Sequence, residues 1–214
     1  MKTILCYGDS NTWGWNPVNQ TRYARFARWP GVLQQRLGGG YYIIEAGLSG
    51  RTTVHDDPIE PHRNGKTYLP ACLMSHQPLD LVILMLGTND LKHRFGQSAF
   101  DIAAGAGFLV KLIQQSGTGP NGQSPQVLLL APPPIIKRPP TAAQFEGGPA
   151  KSKQFGRTFG PISRQHHCHF LDTGKVVDSS SIDGVHLELT EHQKLGLALA
   201  EKVEQIFSAG PADR

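Results

Sequence analysis

From Leu79 to Leu86 every residue but Asp80 is apolar, in the order Leu-Asp-Leu-Val-Ile-Leu-Met-Leu. A half-exposed strand alternates apolar and polar residues and an amphipathic helix spaces its apolar residues by three and four, whereas this run does neither and is short for a helix. It reads as a central strand covered on both faces, the pattern of a parallel sheet held between two layers of helices. Other candidate strands are Ile4 to Cys6, Tyr41 to Ala46, Val127 to Ala131 and His169 to Leu171. Helical patterns fall between them, at Trp29 to Leu37, Leu69 to His76, Asp101 to Gln115 and over much of 141 to 165. Thr190 and Gln193 have capping-box spacing for a last helix that ends near Phe207. This alternation predicts an α/β fold, a three-layer α/β/α sandwich around a five-stranded parallel sheet with right-handed crossovers and strand order 2-1-3-4-5.

The 214 residues suit one domain with one sizeable core, so residues 1–214 are expected to fold as a unit with a frayed tail over 208–214. A formal charge of +4 is spread along the chain with no dense basic run, and no recognition-helix, zinc-finger or single-strand-binding motif accompanies it. Nucleic acid is therefore not an expected partner. Cys6, Cys72 and Cys168 are odd in number and far apart, which disfavours a disulfide framework and suits a reducing compartment. The chain opens directly on a strand and holds no apolar run of bilayer length, so the expectation is a soluble, cytoplasmic protein with no membrane partner.

Three of the strands end in small polar clusters: Gly8-Asp9-Ser10, Gly47-Leu48-Ser49-Gly50 and Gly87-Thr88-Asn89-Asp90. Ligands of open α/β sheets bind beyond the carboxyl ends of the strands, so the three turns would converge on one crevice. A serine in such a turn is by itself more often a turn former or helix cap than a nucleophile. Serine hydrolysis also needs a histidine base, an acid to orient it and donors for the oxyanion, and each has a candidate here. Ser10 is the nucleophile, His186 the base and Asp183 the orienting acid, since an i, i+3 spacing on a helical turn would let Asp183 accept from Nδ1 and leave Nε2 aimed at the serine. The backbone N–H groups of Ser10 and Gly50 and the side-chain amide of Asn89 are candidate oxyanion donors, because neutral fixed dipoles stabilise developing charge without titrating. Position 12 is Thr, so G-x-S-x-G is absent, which argues against an α/β-hydrolase elbow and predicts a looser turn at Ser10. Asp9 is expected to be structural, its carboxylate accepting backbone N–H groups of the turn.

Gly8-Asp9-Ser10, Gly50, Gly87-Thr88-Asn89-Asp90 and Asp183-Gly184-Val185-His186 resemble, in order and approximate spacing, the four signature blocks of the SGNH (GDSL-type) hydrolases, and the resemblance spans nearly the whole chain. It implies a flavodoxin-like fold, esterase or lipase-type acyl chemistry, and no metal or organic cofactor. It assigns Ser10, Asp183 and His186 to a catalytic triad and Ser10, Gly50 and Asn89 to the oxyanion hole. Thr12-Trp13-Gly14-Trp15, Leu48-Ser49-Gly50-Arg51-Thr52-Thr53, Asp56-Asp57-Pro58 and Tyr68-Leu69-Pro70 are similar to the bacterial arylesterase branch, which includes acyltransferases and perhydrolases and implies a homo-oligomer. Residue 11 is Asn where the family commonly has leucine, and residue 50 is Gly where some members of that branch carry Ala.

Asn11, Trp13 and Trp15, beside Ser10, are expected to line the substrate pocket, and the loops at 16–28, 54–67 and 132–145 to shape it. The run His166-His167-Cys168-His169 is the best metal candidate, but neighbouring residues on a strand point to opposite faces and no second ligand group is evident, so no metal site is expected. The sequence thus predicts a serine esterase acting on a small-molecule ester of short acyl chain, acetyl to butyryl, such as an aryl ester. Deacetylation of a carbohydrate or another natural acetyl ester is the alternative, because the triad is common to both. A non-catalytic binding protein on this fold would be marked by loss of Ser10, Asn89 or His186, and all three are present.

Overall fold

Five strands, β1 (Lys2–Gly8), β2 (Tyr41–Gly47), β3 (Leu81–Met85), β4 (Gln126–Ala131) and β5 (His169–Asp172), form one all-parallel sheet in the order β2-β1-β3-β4-β5. The computed structural model describes residues 1–209, so the part of the expected frayed tail from 210 onward lies outside the described residues. Among the described residues seven α-helices accompany the sheet: α1 (Ser10–Trp13), α2 (Trp29–Leu37), α3 (Gly65–His76), α4 (Ala99–Gln114), α5 (Gly148–Ser152), α6 (Phe155–Gln165) and α7 (Leu189–Ser208).

The apolar runs divide between two cores because successive strand residues face opposite sides. Leu5, Tyr7, Val82 and Leu84 pack with Leu73 of α3, Ile102 and Leu109 of α4 and Phe159 of α6. Ile4, Cys6, Ile83 and Met85 pack with Trp29 and Leu33 of α2 and Leu195 and Leu199 of α7. Each such side chain contributes about 2 kcal/mol by leaving water, which is why a run without polar residues is needed in β3. The register aligns Gly8 of β1 with Gly47 of β2 and Met85 of β3. The chain therefore leaves all three strands at one level, where the order β2-β1-β3 opens a crevice.

The local differences from the sequence reading have visible causes. β3 is shorter than its apolar run because Leu79, though buried, gives its N–H to the Thr118 carbonyl at 2.8 Å. The helical stretch expected over 141 to 165 is broken by Gly147-Gly148-Pro149 into turns, α5 and α6. The capping box predicted at Thr190 and Gln193 is not formed. Helix α7 starts at Leu189 after Glu188, whose carboxylate accepts from Ser180 Oγ (2.7 Å), while the Thr190 hydroxyl turns to Glu191 (3.5 Å). Ser98 and Asp101 form a capping box instead, at the start of α4. Among the described residues no helix is long and apolar enough to cross a membrane.

Candidate active site

The turn after β1 is built by Asp9. Its side chain accepts from Asn11 N at 2.9 Å and its carbonyl from Thr12 N and Trp13 N, at 3.1 and 2.9 Å, so the chain winds at once into the single turn of α1. Ser10 is the first residue of that turn, held by helical geometry rather than on the looser turn expected from the sequence. Gly14 closes the turn, donating to the Ser10 carbonyl at 2.8 Å.

Residues 183 to 186 are not the helical turn expected either. Asp183 Oδ1 accepts from the backbone N–H groups of Val185 and His186 at 2.9 and 3.0 Å, folding the segment around the carboxylate. Gly184 has φ +79°, and a Cβ there would lie 2.1 Å from the Ile136 carbonyl oxygen, so a side chain is excluded twice over. Ile136 N donates to Gly184 O (2.9 Å) and Ser180 N to His186 O (2.7 Å), tying the loop to its neighbours. Asp183 Oδ2 then lies 2.6 Å from His186 Nδ1, and His186 Nε2 lies 2.9 Å from Ser10 Oγ. An ionised Asp183 accepts from Nδ1–H, which leaves Nε2 free to accept from the serine hydroxyl.

Burial alone would raise the Asp183 carboxyl. The bonds from the His186 ring and from the N–H groups of His186 and Val185 outweigh it and hold the group below the usual carboxylate range. The neighbouring Asp9 is different. Burial dominates there, pushing it up to about 6, with only partial relief from Asn11 N–H and the charges of His186 and Arg51; its Oδ2 is buried with no partner among the described residues. A carboxyl whose folded pKa lies above the unfolded value of about 4 binds its proton more tightly when folded, so it withdraws stability as pH rises through that interval. Asp9→Asn is therefore expected to shift the Tm difference from the parent in the variant's favour between about pH 4 and pH 7. A Tm difference that does not move with pH would show that folding does not raise the pKa of Asp9.

The oxyanion candidates lie on the turns after β1, β2 and β3. Gly50, at φ +81°, follows β2, and neither its N–H nor that of Ser10 has an acceptor among the described residues. Asn89 begins a short 3-10 turn after β3, and its Nδ2 donates to the Arg51 carbonyl at 3.1 Å. One amide hydrogen is used in fixing the side chain, and the second remains for an oxyanion. Asn89→Ala is expected to lower kcat about 10²- to 10³-fold with little change in KM, measured on a short aryl ester.

Residues 6–193 match the family model described as "GDSL-like Lipase/Acylhydrolase family". The chain belongs to that family. This GDSL-like hydrolase is similar over its length to the aryl esterase of M. smegmatis, with 43% identity, TM-score 0.92, and 96% of this chain and 99% of that one covered. It is equally similar to a carbohydrate acetylesterase from Sinorhizobium meliloti, with 42% identity, TM-score 0.92, and 97% and 100% covered. An acetylxylan esterase of Xylanibacter ruminicola is 26% identical over 146 residues, which are 63% of this chain and only 29% of that protein.

Around Ser10, His186 and Asp183 of this hydrolase, Trp15 stands with its ring 5.6 Å from that of His186 and 6.2 Å from that of Trp13, so it walls one side of the imidazole. Trp13 is held from behind by Arg22, which stacks 4.9 Å from its ring and donates to its carbonyl (2.8 Å). Asn11, expected in the substrate pocket, is not there. It is buried, its Nδ2 donating to Val185 O (3.2 Å) and its Oδ1 accepting from Leu187 N (2.9 Å), so it grips the base loop on both sides of His186. Arg51, which sequence reasoning passed over, is buried at the centre of the three turns. It donates to the carbonyls of Gly8 (2.8 Å) and Ala46, and stacks 4.2 Å from the Tyr7 ring. A cation beside a strand end rich in carbonyls was the available signal. His166, His167, Cys168 and His169 border a cavity of about 920 Å³ with Lys2, Asp80 and Gln126, at the amino ends of the strands and away from Ser10. Among the described residues no group of three His, Cys, Asp or Glu side chains is arranged to hold a metal.

Proposed function

We propose that this protein is a serine esterase that hydrolyses small esters of short acyl chain, aryl esters among them, through an acyl-enzyme. The observation that carries the reading is the unbroken line from Asp183 Oδ2 through the His186 ring to Ser10 Oγ, with links of 2.6 and 2.9 Å. His186 takes the proton of Ser10 as Oγ attacks the ester carbonyl, and the oxyanion rests on Ser10 N–H, Gly50 N–H and Asn89 Nδ2. As the intermediate collapses, His186 returns the proton to the departing alcohol, and water repeats the sequence to free the acid. Trp15 faces the imidazolium formed in both steps, a contact worth about 0.5–1 kcal/mol. No metal or cofactor enters the sequence, and a homo-oligomer in the cytoplasm remains the form in which we expect it to act.

Similarity to the aryl esterase of M. smegmatis supports the aryl-ester reading, and similarity to the S. meliloti carbohydrate acetylesterase supports an acetylated sugar as substrate. Transfer of the acyl group to an alcohol uses the same intermediate and requires only that the alcohol displace water. The test is initial rates on p-nitrophenyl esters of increasing acyl length beside acetylated xylo-oligosaccharides. Fast turnover of acetyl to butyryl aryl esters supports the first reading, and a higher kcat/KM on the sugars the second. Turnover confined to long acyl chains contradicts both.

A further inference from the structure

Two of the three oxyanion donors stand against one ionic cluster that takes no part in the triad. Asp57, Glu60 and Arg63 come from the segment between β2 and α3, and Lys92 and Arg94 from the turn after β3. Glu60 Oε1 lies 2.7 Å from Lys92 Nζ and 2.8 Å from an Arg94 terminal nitrogen, while its Oε2 lies 3.8 Å from Arg63 Nε. Asp57, its side chain wholly buried, accepts from the same Arg94 nitrogen at 2.5 Å and lies 3.6 Å from Lys92 Nζ. Both carboxyls resist protonation: although burial acts to raise them, Arg94, Lys92 and, for Asp57, the backbone N–H groups of Ile59 and Glu60 outweigh it, and Asp57 is held at about 2.

The cluster touches the donors from two sides. A Cβ added to Gly50 would lie 2.9 Å from Glu60 Oε2 and 2.9 Å from Arg63 Nε, so the Glu60–Arg63 pair packs directly on the turn that carries the Gly50 N–H. Lys92 N donates to the Asn89 carbonyl at 3.1 Å, so the Lys92 ammonium is anchored to the turn that carries the Asn89 amide. Among the described residues, Glu60 is the one side chain of the cluster that pairs with cations at both turns. Asp57 and Lys92 are buried while Glu60, Arg63 and Arg94 are partly exposed; desolvation offsets the attraction of buried ion pairs and solvent screens that of exposed ones, so stability alone is a weak reason for five charges here.

We propose that Glu60 is a positioning residue for the oxyanion hole, its carboxylate bracing the Gly50 turn against the Asn89 turn so that both donors meet the same oxygen. The proposal rests on the esterase reading above. Glu60→Gln keeps the shape and removes the charge that its three cations share. Measured on p-nitrophenyl acetate well below Tm, it is expected to lower kcat about 10- to 100-fold, the scale of a small misplacement of reacting groups, with KM nearly unchanged. Glu60→Asp, which keeps the charge, is expected to recover part of the loss. Arg63→Gln, at the more exposed end of the cluster, is expected to lower kcat several-fold and gives a second reading if Glu60→Gln does not fold. A kcat equal to the parent's, even with a lowered Tm, or a loss confined to KM would overturn the proposal and leave the cluster a purely structural clamp. A parent inert on every ester would overturn the esterase reading and this inference with it, which distinguishes the two failures.

Discussion

His186→Ala is expected to lower kcat on a short-chain aryl ester by about 10⁵- to 10⁶-fold, because the triad acts as a unit and loss of the base disables the nucleophile too. KM is expected to change little, since the ring's partners are Ser10 and Asp183, at 2.9 and 2.6 Å. The fold should survive: the loop that carries His186 is held by its backbone, through Ser180 N, Leu187 N and the Val185 carbonyl. Steady-state rates on p-nitrophenyl acetate, with circular dichroism and Tm to confirm folding, check this. A loss under about tenfold, far below the triad scale, would place the base elsewhere.

Asp183→Asn is the second large effect, an expected fall of about 10⁴-fold in kcat. The amide oxygen can keep the position that accepts from Val185 N and His186 N, so the loop retains its shape. Its NH₂ then faces His186 Nδ1, which must accept rather than donate. The imidazole proton is thereby forced onto Nε2, where it meets Ser10 Oγ and cannot receive the serine proton. Asp183→Ala is expected to be no better, and to lower Tm more, because it also abandons two backbone N–H groups. Equal kcat in Asp183→Asn and the parent would mean that the carboxylate serves the loop and not the base.

The sheet and its order were readable from the sequence because both rest on local signals: uniformly apolar runs for buried parallel strands, and glycine-rich polar turns at their ends. The same locality explains the misses. Asn11 sits beside Ser10 in sequence and so suggested the substrate pocket, yet its partners are 174 and 176 residues away. Arg51 looks like a solvent-facing residue of a Gly-Arg-Thr-Thr turn, and it is buried only because the ends of β1 and β2 leave carbonyls to be satisfied. The spacing of Asp183 and His186 suggested a helical turn, whereas the carboxylate captured two backbone N–H groups and set a tighter one. Thr190 and Gln193 carried a capping signature, but Glu188 and Ser180 fix where α7 begins. The Glu60 cluster joins two segments with β3 between them, and no periodicity links its members.

The assignment of Ser10 as the nucleophile is tested most directly by mixing the protein with p-nitrophenyl acetate, quenching in acid during turnover and locating the added acetyl group by peptide mass spectrometry. The expected result is acetyl on the peptide that contains Ser10 in the parent, accumulation of the same species when deacylation is slowed, and neither acetyl nor turnover in Ser10→Ala. Acetyl on another residue, or a Ser10→Ala variant that turns over the ester at the parent's rate, would contradict the assignment of Ser10 as the nucleophile.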